Sequence, residues 1–184
     1  YIVTGTVNSS GCSNTDTISI ISGPDINIIS SATSICMGDS ITLTAVGADS
    51  YSWNNGVANG VSFIPTETKQ YTVIGKDDKG CINTANVLVT VNPLPTVVAT
   101  ATKTSVCPGE SVTLIGTGAS TYVWDNNVSN GVSFVPSATK TYTVTGTDAN
   151  GCKNTANVLV TVNSLPTVTA NSNKSVVCSG DNVT

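Results

Sequence analysis

Asn83-Thr84-Ala85-Asn86-Val87-Leu88-Val89-Thr90-Val91-Asn92 is followed by Pro93-Leu94-Pro95, and the same ten residues return at 154–163, followed by Ser164-Leu165-Pro166. The stretch puts Val87, Val89 and Val91 on one side and Asn86, Leu88 and Thr90 on the other. This period of two belongs to a strand and not to a helix. A strand repeated verbatim implies a repeated domain, and the rest of the chain agrees. Trp53 and Trp124, Tyr71 and Tyr142, Cys36 and Cys107, Cys81 and Cys152, and Cys107 and Cys178 are each 71 positions apart. Cys36–Asn92 laid over Cys107–Asn163 matches at 36 of 57 positions without a gap. Residues 1–22 match the last third of a repeat, with one residue added before Cys12, and 167–184 match the first quarter.

A period of 71 is longer than solenoid or propeller repeats, which run at about 20–50 residues, and suits a small domain used as a bead. The expected organisation is a C-terminal fragment over 1–22 carrying the last two strands of a repeat. Complete repeats follow over 25–92 and 96–163, with an N-terminal fragment of a further repeat over 167–184. Both chain ends read as cuts inside domains, so the sequence reads as a window on a longer polypeptide. The joints Ser22-Gly23-Pro24-Asp25, Asn92-Pro93-Leu94-Pro95 and Asn163-Ser164-Leu165-Pro166 are short, and their prolines make them semi-stiff.

Within a repeat, short alternating runs (Val112-Thr113-Leu114, Tyr122-Val123-Trp124, Val132-Ser133-Phe134, Tyr142-Thr143-Val144-Thr145) are separated by turn chemistry such as Cys107-Pro108-Gly109-Glu110 and Asp148-Ala149-Asn150-Gly151. No window has helical spacing. The fold class is all-β, with about seven short strands per unit.

Composition narrows the function. Of 184 residues only 10% are charged, there are 7 Lys and 11 acidic residues for a net charge of −4, and His is absent. Threonine alone occupies 29 positions. Nucleic acid would need a basic stripe, and no apolar run approaches the length of a membrane-spanning helix. Without His the commonest general base and zinc ligand is missing. Neither a Ser nor a Thr has a repeated Lys or acid partner to activate it. An enzyme is not expected, and neither is a cofactor.

The pattern C-x-G-[DE]-S-[IV]-T-L at 36–43 and 107–114, then Y-x-W, then P-x-x-T-K-x-Y-T-V-x-G, then D-x-x-G-C and a Thr/Val strand, resembles the immunoglobulin-like and PKD-like repeats of giant Bacteroidota surface proteins. Those include adhesins exported by the type 9 system and used in attachment and gliding motility. The resemblance implies tandem immunoglobulin-like β-sandwich domains arranged end to end, with Trp53 and Trp124 as core residues of strand C. It places Tyr71 and Tyr142 at the start of strand F, as corner residues whose hydroxyls bond the backbone. Tyr51 and Tyr122 alternate onto the tryptophan face. The cysteine pair that crosses the core of immunoglobulin domains is absent here, and the cysteines of this chain fall in turns.

Six cysteines without His or a C-x₂-C pair read as disulfides of a secreted protein rather than a metal site. The simplest pairing is one bond per unit, Cys36–Cys81 and Cys107–Cys152. Topology favours another. An unbroken strand A over 96–106 would reach about 36 Å, carrying Cys107 to the pole of its unit opposite Cys152, while a disulfide needs Cα atoms within about 7 Å. The favoured pairing is therefore Cys36 of one unit with Cys152 of the next, with Cys12, Cys81, Cys107 and Cys178 bonding partners outside the window. A broken or short strand A would return the intra-unit pairs.

Other signals are weaker. Asp77, Asp78, Asp148 and Asn150 could supply oxygens to a structural Ca²⁺, but six to eight are needed and Asp78 becomes Ala149, so these read as turn residues. Lys69 and Lys140 raise a Lys–Asn isopeptide staple, yet Glu67 becomes Ala138, which removes the acid. Asp16-Thr17-Ile18 and Asp39-Ser40-Ile41 resemble the Bacteroidota O-glycosylation motif, pointing to Thr17 and Ser40. Asn-x-Ser/Thr triplets start at Asn8, Asn127, Asn173 and Asn182.

The expectation is a structural or adhesive repeat segment of a long fibre on a bacterial cell surface. Its partners would be neighbouring repeats, and surface glycans or laterally associated copies. Non-catalytic spacer repeats in a secreted enzyme, and a glycan-binding module, are the alternatives.

Overall fold

The computed structural model describes residues 2–18, 22–173 and 175–180. Among them the chain is all-β, with sixteen strands and a single three-residue 3₁₀ turn. It divides into two compact units, Tyr1–Leu94 and Pro95–Thr184.

The first unit opens with a hairpin, β1 (Ile2–Thr6) paired antiparallel to β2 (Ser13–Thr17), whose residues are all exposed. Seven strands follow. They are β3 (Asn27–Ser30), β4 (Ser34–Cys36), β5 (Ile41–Val46), β6 (Ser50–Trp53), β7 (Ser62–Phe63), β8 (Lys69–Lys76) and β9 (Ile82–Asn92). They form a three-stranded sheet in the order β3-β5-β7 and a four-stranded sheet in the order β4-β9-β8-β6. The second unit repeats this with β10 (Val98–Ala101), β11 (Ser105–Val106), β12 (Val112–Thr117), β13 (Thr121–Trp124), β14 (Ser133–Phe134), β15 (Lys140–Thr147) and β16 (Lys153–Val162). Its sheets have the orders β10-β12-β14 and β11-β16-β15-β13. With the first strand split in two, this is the A-B-E and A′-G-F-C arrangement of an immunoglobulin-like sandwich lacking strand D.

The alternation in sequence becomes the inward face of each sheet. Ile41, Leu43 and Ala45 on β5 point inward and meet Trp53, Tyr71, Val73 and Val89 from the other sheet. In the second unit Val112 and Leu114 meet Trp124, Tyr142, Val144 and Val160. Leu43, Val73, Val89, Leu114, Val144 and Val160 are fully buried. Phe63 tilts against Tyr71 and Phe134 meets Tyr142 edge-on, each with ring centroids 5.3 Å apart, close to the edge-to-face geometry that aromatic pairs favour.

The unbroken strand A expected over 96–106 is corrected. It breaks after Ala101, and β10 belongs to the three-stranded sheet while β11 crosses over and pairs parallel with β16, Val106 opposite Val162. The first unit breaks the same way after Ser30, with Cys36 opposite Asn92. The crossing residues find other partners for their polar groups. Ser31 Oγ accepts the Thr42 N–H and Thr102 Oγ1 accepts the Thr113 N–H, each at 3.0 Å, so the ladder continues through side chains where the strand leaves the sheet.

The assignment of the tyrosine hydroxyls is corrected as well. Tyr51 and Tyr122, not Tyr71 and Tyr142, close a corner. Each hydroxyl donates to the carbonyl three residues back, Ala48 or Ala119, and accepts that residue's N–H. Tyr71 and Tyr142 spend their rings in the core, and burial together with the Asp125 charge pushes the Tyr142 hydroxyl pKa up.

Candidate functional site

The chemically distinctive residues sit in two kinds of turn. The first follows β4 or β11 and carries Cys36 or Cys107. Gly38 (φ 95°) and Gly109 (φ 90°) occupy the left-handed region there, which glycine adopts without steric cost. An acid three residues after each cysteine caps the turn. The Cys36 N–H donates to Asp39 Oδ2 at 3.2 Å, and the Cys107 N–H to Glu110 Oε2 at 2.8 Å. That backbone bond, and after it the Lys103 ammonium 3.2 Å away, hold the Glu110 carboxyl below its ordinary range.

The second kind joins β8 to β9 or β15 to β16 and carries Cys81 or Cys152. Asp77 Oδ1 accepts the N–H groups of Lys79 and Cys81 at 3.1 and 2.7 Å. Asp148 Oδ1 accepts those of Asn150 and Cys152, both at 2.8 Å. Asp77 and Asp148, raised as calcium ligands, therefore act as Asx-turn acceptors that close the loop on itself. The β1–β2 hairpin holds Cys12 in a longer version of this turn, with Val7 in place of the aspartate and the Val7 N–H bonded to the Cys12 carbonyl at 2.8 Å.

Each unit keeps its two cysteine turns apart. Cys36 pairs with Asn92 at the end of β9, while Cys81 directly precedes its first residue, Ile82. The eleven residues between span about 36 Å at 3.3 Å per residue, far beyond disulfide reach. Cys107 and Cys152 are separated likewise by the ten residues of β16. The intra-unit alternative is thereby excluded. Breaking strand A does not shorten the distance, because its second half, parallel to the last strand, still delivers the cysteine to that strand's far end. Cys36 and Cys152 are each disulfide-bonded. Cys12, Cys81 and Cys107 are thiols, Cys12 and Cys107 exposed and Cys81 half-buried, and Cys178 is exposed.

Trp53, Trp124, Tyr71 and Tyr142 are buried, and Tyr51 and Tyr122 half-buried. Sequence reasoning missed the groups that hold the tryptophans. Asn59 Oδ1 accepts Trp53 Nε1–H at 3.0 Å and the Ala45 N–H at 2.7 Å, and Asn59 Nδ2 donates back to the Ala45 carbonyl. Asn130 Oδ1 repeats this with Trp124 and Gly116 at 2.9 and 2.7 Å. The signal was present as an Asn-Gly pair kept at the same register in both repeats.

Thr17 and Ser40 are exposed, as are Asn8, Asn127 and Asn173, while Asn182 lies outside the described residues. Lys69 pairs with Glu67 at the surface, and Lys140 donates to Asn126 Oδ1. A cavity of about 210 Å³ in the first unit is lined by Asn55, Phe63, Pro65, Lys69 and Tyr71 among others. One of about 340 Å³ lies at the equivalent place in the second, where Ala138 replaces Glu67.

Fold and turns together define a protein of repeated β-sandwich units carrying a disulfide. No family model matches the chain, and no curated protein matches it.

Proposed function

We propose that the chain is a stretch of a structural, adhesive repeat array exposed on a bacterial cell surface, of the kind its motifs resemble in Bacteroidota attachment and gliding adhesins. The observation that carries this reading is the disulfide. The bonded cysteines come from different repeats, Cys36 from the first and Cys152 from the second, and we pair them with each other, which gives successive beads a second covalent connection. A force-bearing fibre benefits from that, whereas a catalytic domain has no use for it. The surface, rich in Thr, Asn and Ser and poor in charge, and the proline joints fit the same role. Cys107 has the turn of Cys36, and Cys12 and Cys81 have the place of Cys152, so these thiols are the halves of equivalent bonds to neighbouring repeats. Surface labelling of intact cells and loss of attachment on deletion of the gene test the assignment; a protein recovered only from the cell interior refutes it.

One observation favours a second reading, glycan capture. The cavities recur at the same place in both units, each with an aromatic floor and a rim of Asn, Lys and hydroxyl groups. Chemical-shift changes at Asn126, Lys140 and Tyr142 on saccharide titration support it, and unmoved resonances at tens of millimolar saccharide reject it.

A further inference from the structure

We infer that the disulfide makes the polypeptide tolerant of backbone cleavage, and that in an array this tolerance has no gap. The inference rests on reading the chain as one of many repeats and on the Cys36–Cys152 pairing proposed above. Cys36 and Cys152 are 116 positions apart (152 − 36), whereas the repeat is 71 (107 − 36). A bond that spans more than one period overlaps its successor. Shifted by one repeat, the next bond begins at Cys107, 45 residues before the first loop closes at Cys152 (152 − 107). Every peptide bond between the first and the last bonded cysteine of the array then lies inside at least one loop, and those between Cys107 and Cys152 lie inside two. Hydrolysis of any one of them leaves the two new ends joined through sulfur.

The rejected pairing would not do this. A Cys36–Cys81 bond closes 45 residues (81 − 36) and leaves 26 of each period (107 − 81) outside any loop. Those 26 include the last strand, the proline joint and the split first strand. The joint is where protection matters: Pro93 and Leu94 and the whole of 163–170 are exposed and lie outside strands, the kind of segment proteases cut first.

The turns are ready for the neighbouring bonds. Cys107 is an exposed thiol in the same acid-capped turn that presents the bonded Cys36. Each further bond forms as two thiols give up two protons and two electrons to a protein or small-molecule disulfide, which leaves as two thiols.

A site-specific protease sequence inserted after Asn92 in the 184-residue chain tests the single loop, with insertion at Gly23 as a control outside it. After cleavage at 92, non-reducing electrophoresis should show one band of full mass that separates into two on reduction. Cleavage at 23 should release the hairpin without reductant. The cysteine variant Cys36→Ser should separate at 92 without reductant. Two bands from the unaltered-cysteine chain before reduction overturn the inference. For the array, limited proteolysis of the native full-length protein should leave it at high mass until reductant is added; a 71-residue ladder on a non-reducing gel overturns the array arm. Neither gel depends on cellular location, so a failed surface assignment shows itself separately.

Discussion

Asn59 and Asn130 carry more of the structure than their polar character suggests. One amide oxygen satisfies both an indole N–H and a strand N–H, tying the tryptophan of β6 or β13 to β5 or β12 across the core. Replacing Asn130 by Ala leaves the Trp124 and Gly116 donors unpaired, and an unsatisfied buried donor costs about 1–3 kcal/mol. The expected outcome is a second unit destabilised by that amount in urea titration, with Trp124 fluorescence reporting the transition. Gly118 is a stricter case. At φ +89° a Cβ there would lie 1.9 Å from the Thr96 carbonyl oxygen, as at Gly47 against Asp25. No rotamer relieves contact with backbone, so Gly118→Ala, a change that stabilises by about 0.4–1 kcal/mol where the backbone suits alanine, should here destabilise by more than that gain and lower the chemical denaturation midpoint accordingly. Glu110 gives a pH test. Its folded-state pKa is lowered, so the stability it contributes is present above the unfolded value near 4.5 and is lost as pH falls through the folded one. Glu110→Gln should flatten that part of the acid titration.

Among the elements, the strands whose side chains alternate were legible and the strand that changes sheets was not. Val158, Val160 and Val162 announce β16 because burial on one face selects a period of two. The first strand shows no such interruption in its sequence. Val97, Val98, Ala99 and Ala101 are compatible with one long strand, and the break depends on which partner each half finds, β12 for one and β16 for the other. The tyrosine hydroxyls were misassigned for a related reason. Tyr51 and Tyr71 look alike in sequence, and only the tertiary fold brings the Ala48 N–H and carbonyl to the former. The separation of the two cysteine turns survived the break in strand A, because its second half pairs parallel with the last strand and still ends at that strand's far end. Packing follows the legible part. Leu114 is fully buried between the sheets, and Leu114→Ala should destabilise the second unit by about 2–5 kcal/mol, an effect that calorimetry resolves.

On the scale of the whole chain, the thiol state tests the proposed pairing of Cys36 with Cys152. Cys12, Cys81 and Cys107 should react with an alkylating reagent in the folded, unreduced protein, while Cys36 and Cys152 react only after reduction. Peptide mass mapping reads each site directly. Closing 116 positions removes chain entropy from the unfolded state, by about 5 kcal/mol in the loop model for a loop of that size and by less where native strain or residual structure intervenes. Reduction should therefore lower the melting temperature of the native chain and leave that of Cys36→Ser unchanged, since the variant has no bond to lose. The comparison isolates the bond from any general effect of reductant on exposed thiols. A native chain whose melting is indifferent to reductant would mean that the link between repeats restricts only the chain's continuity and contributes nothing to the folding of either sandwich. The consequence for a fibre follows from that distinction: a stabilising bond resists unfolding of each bead under load, whereas a neutral one acts only once a bead has opened or a joint has been cut.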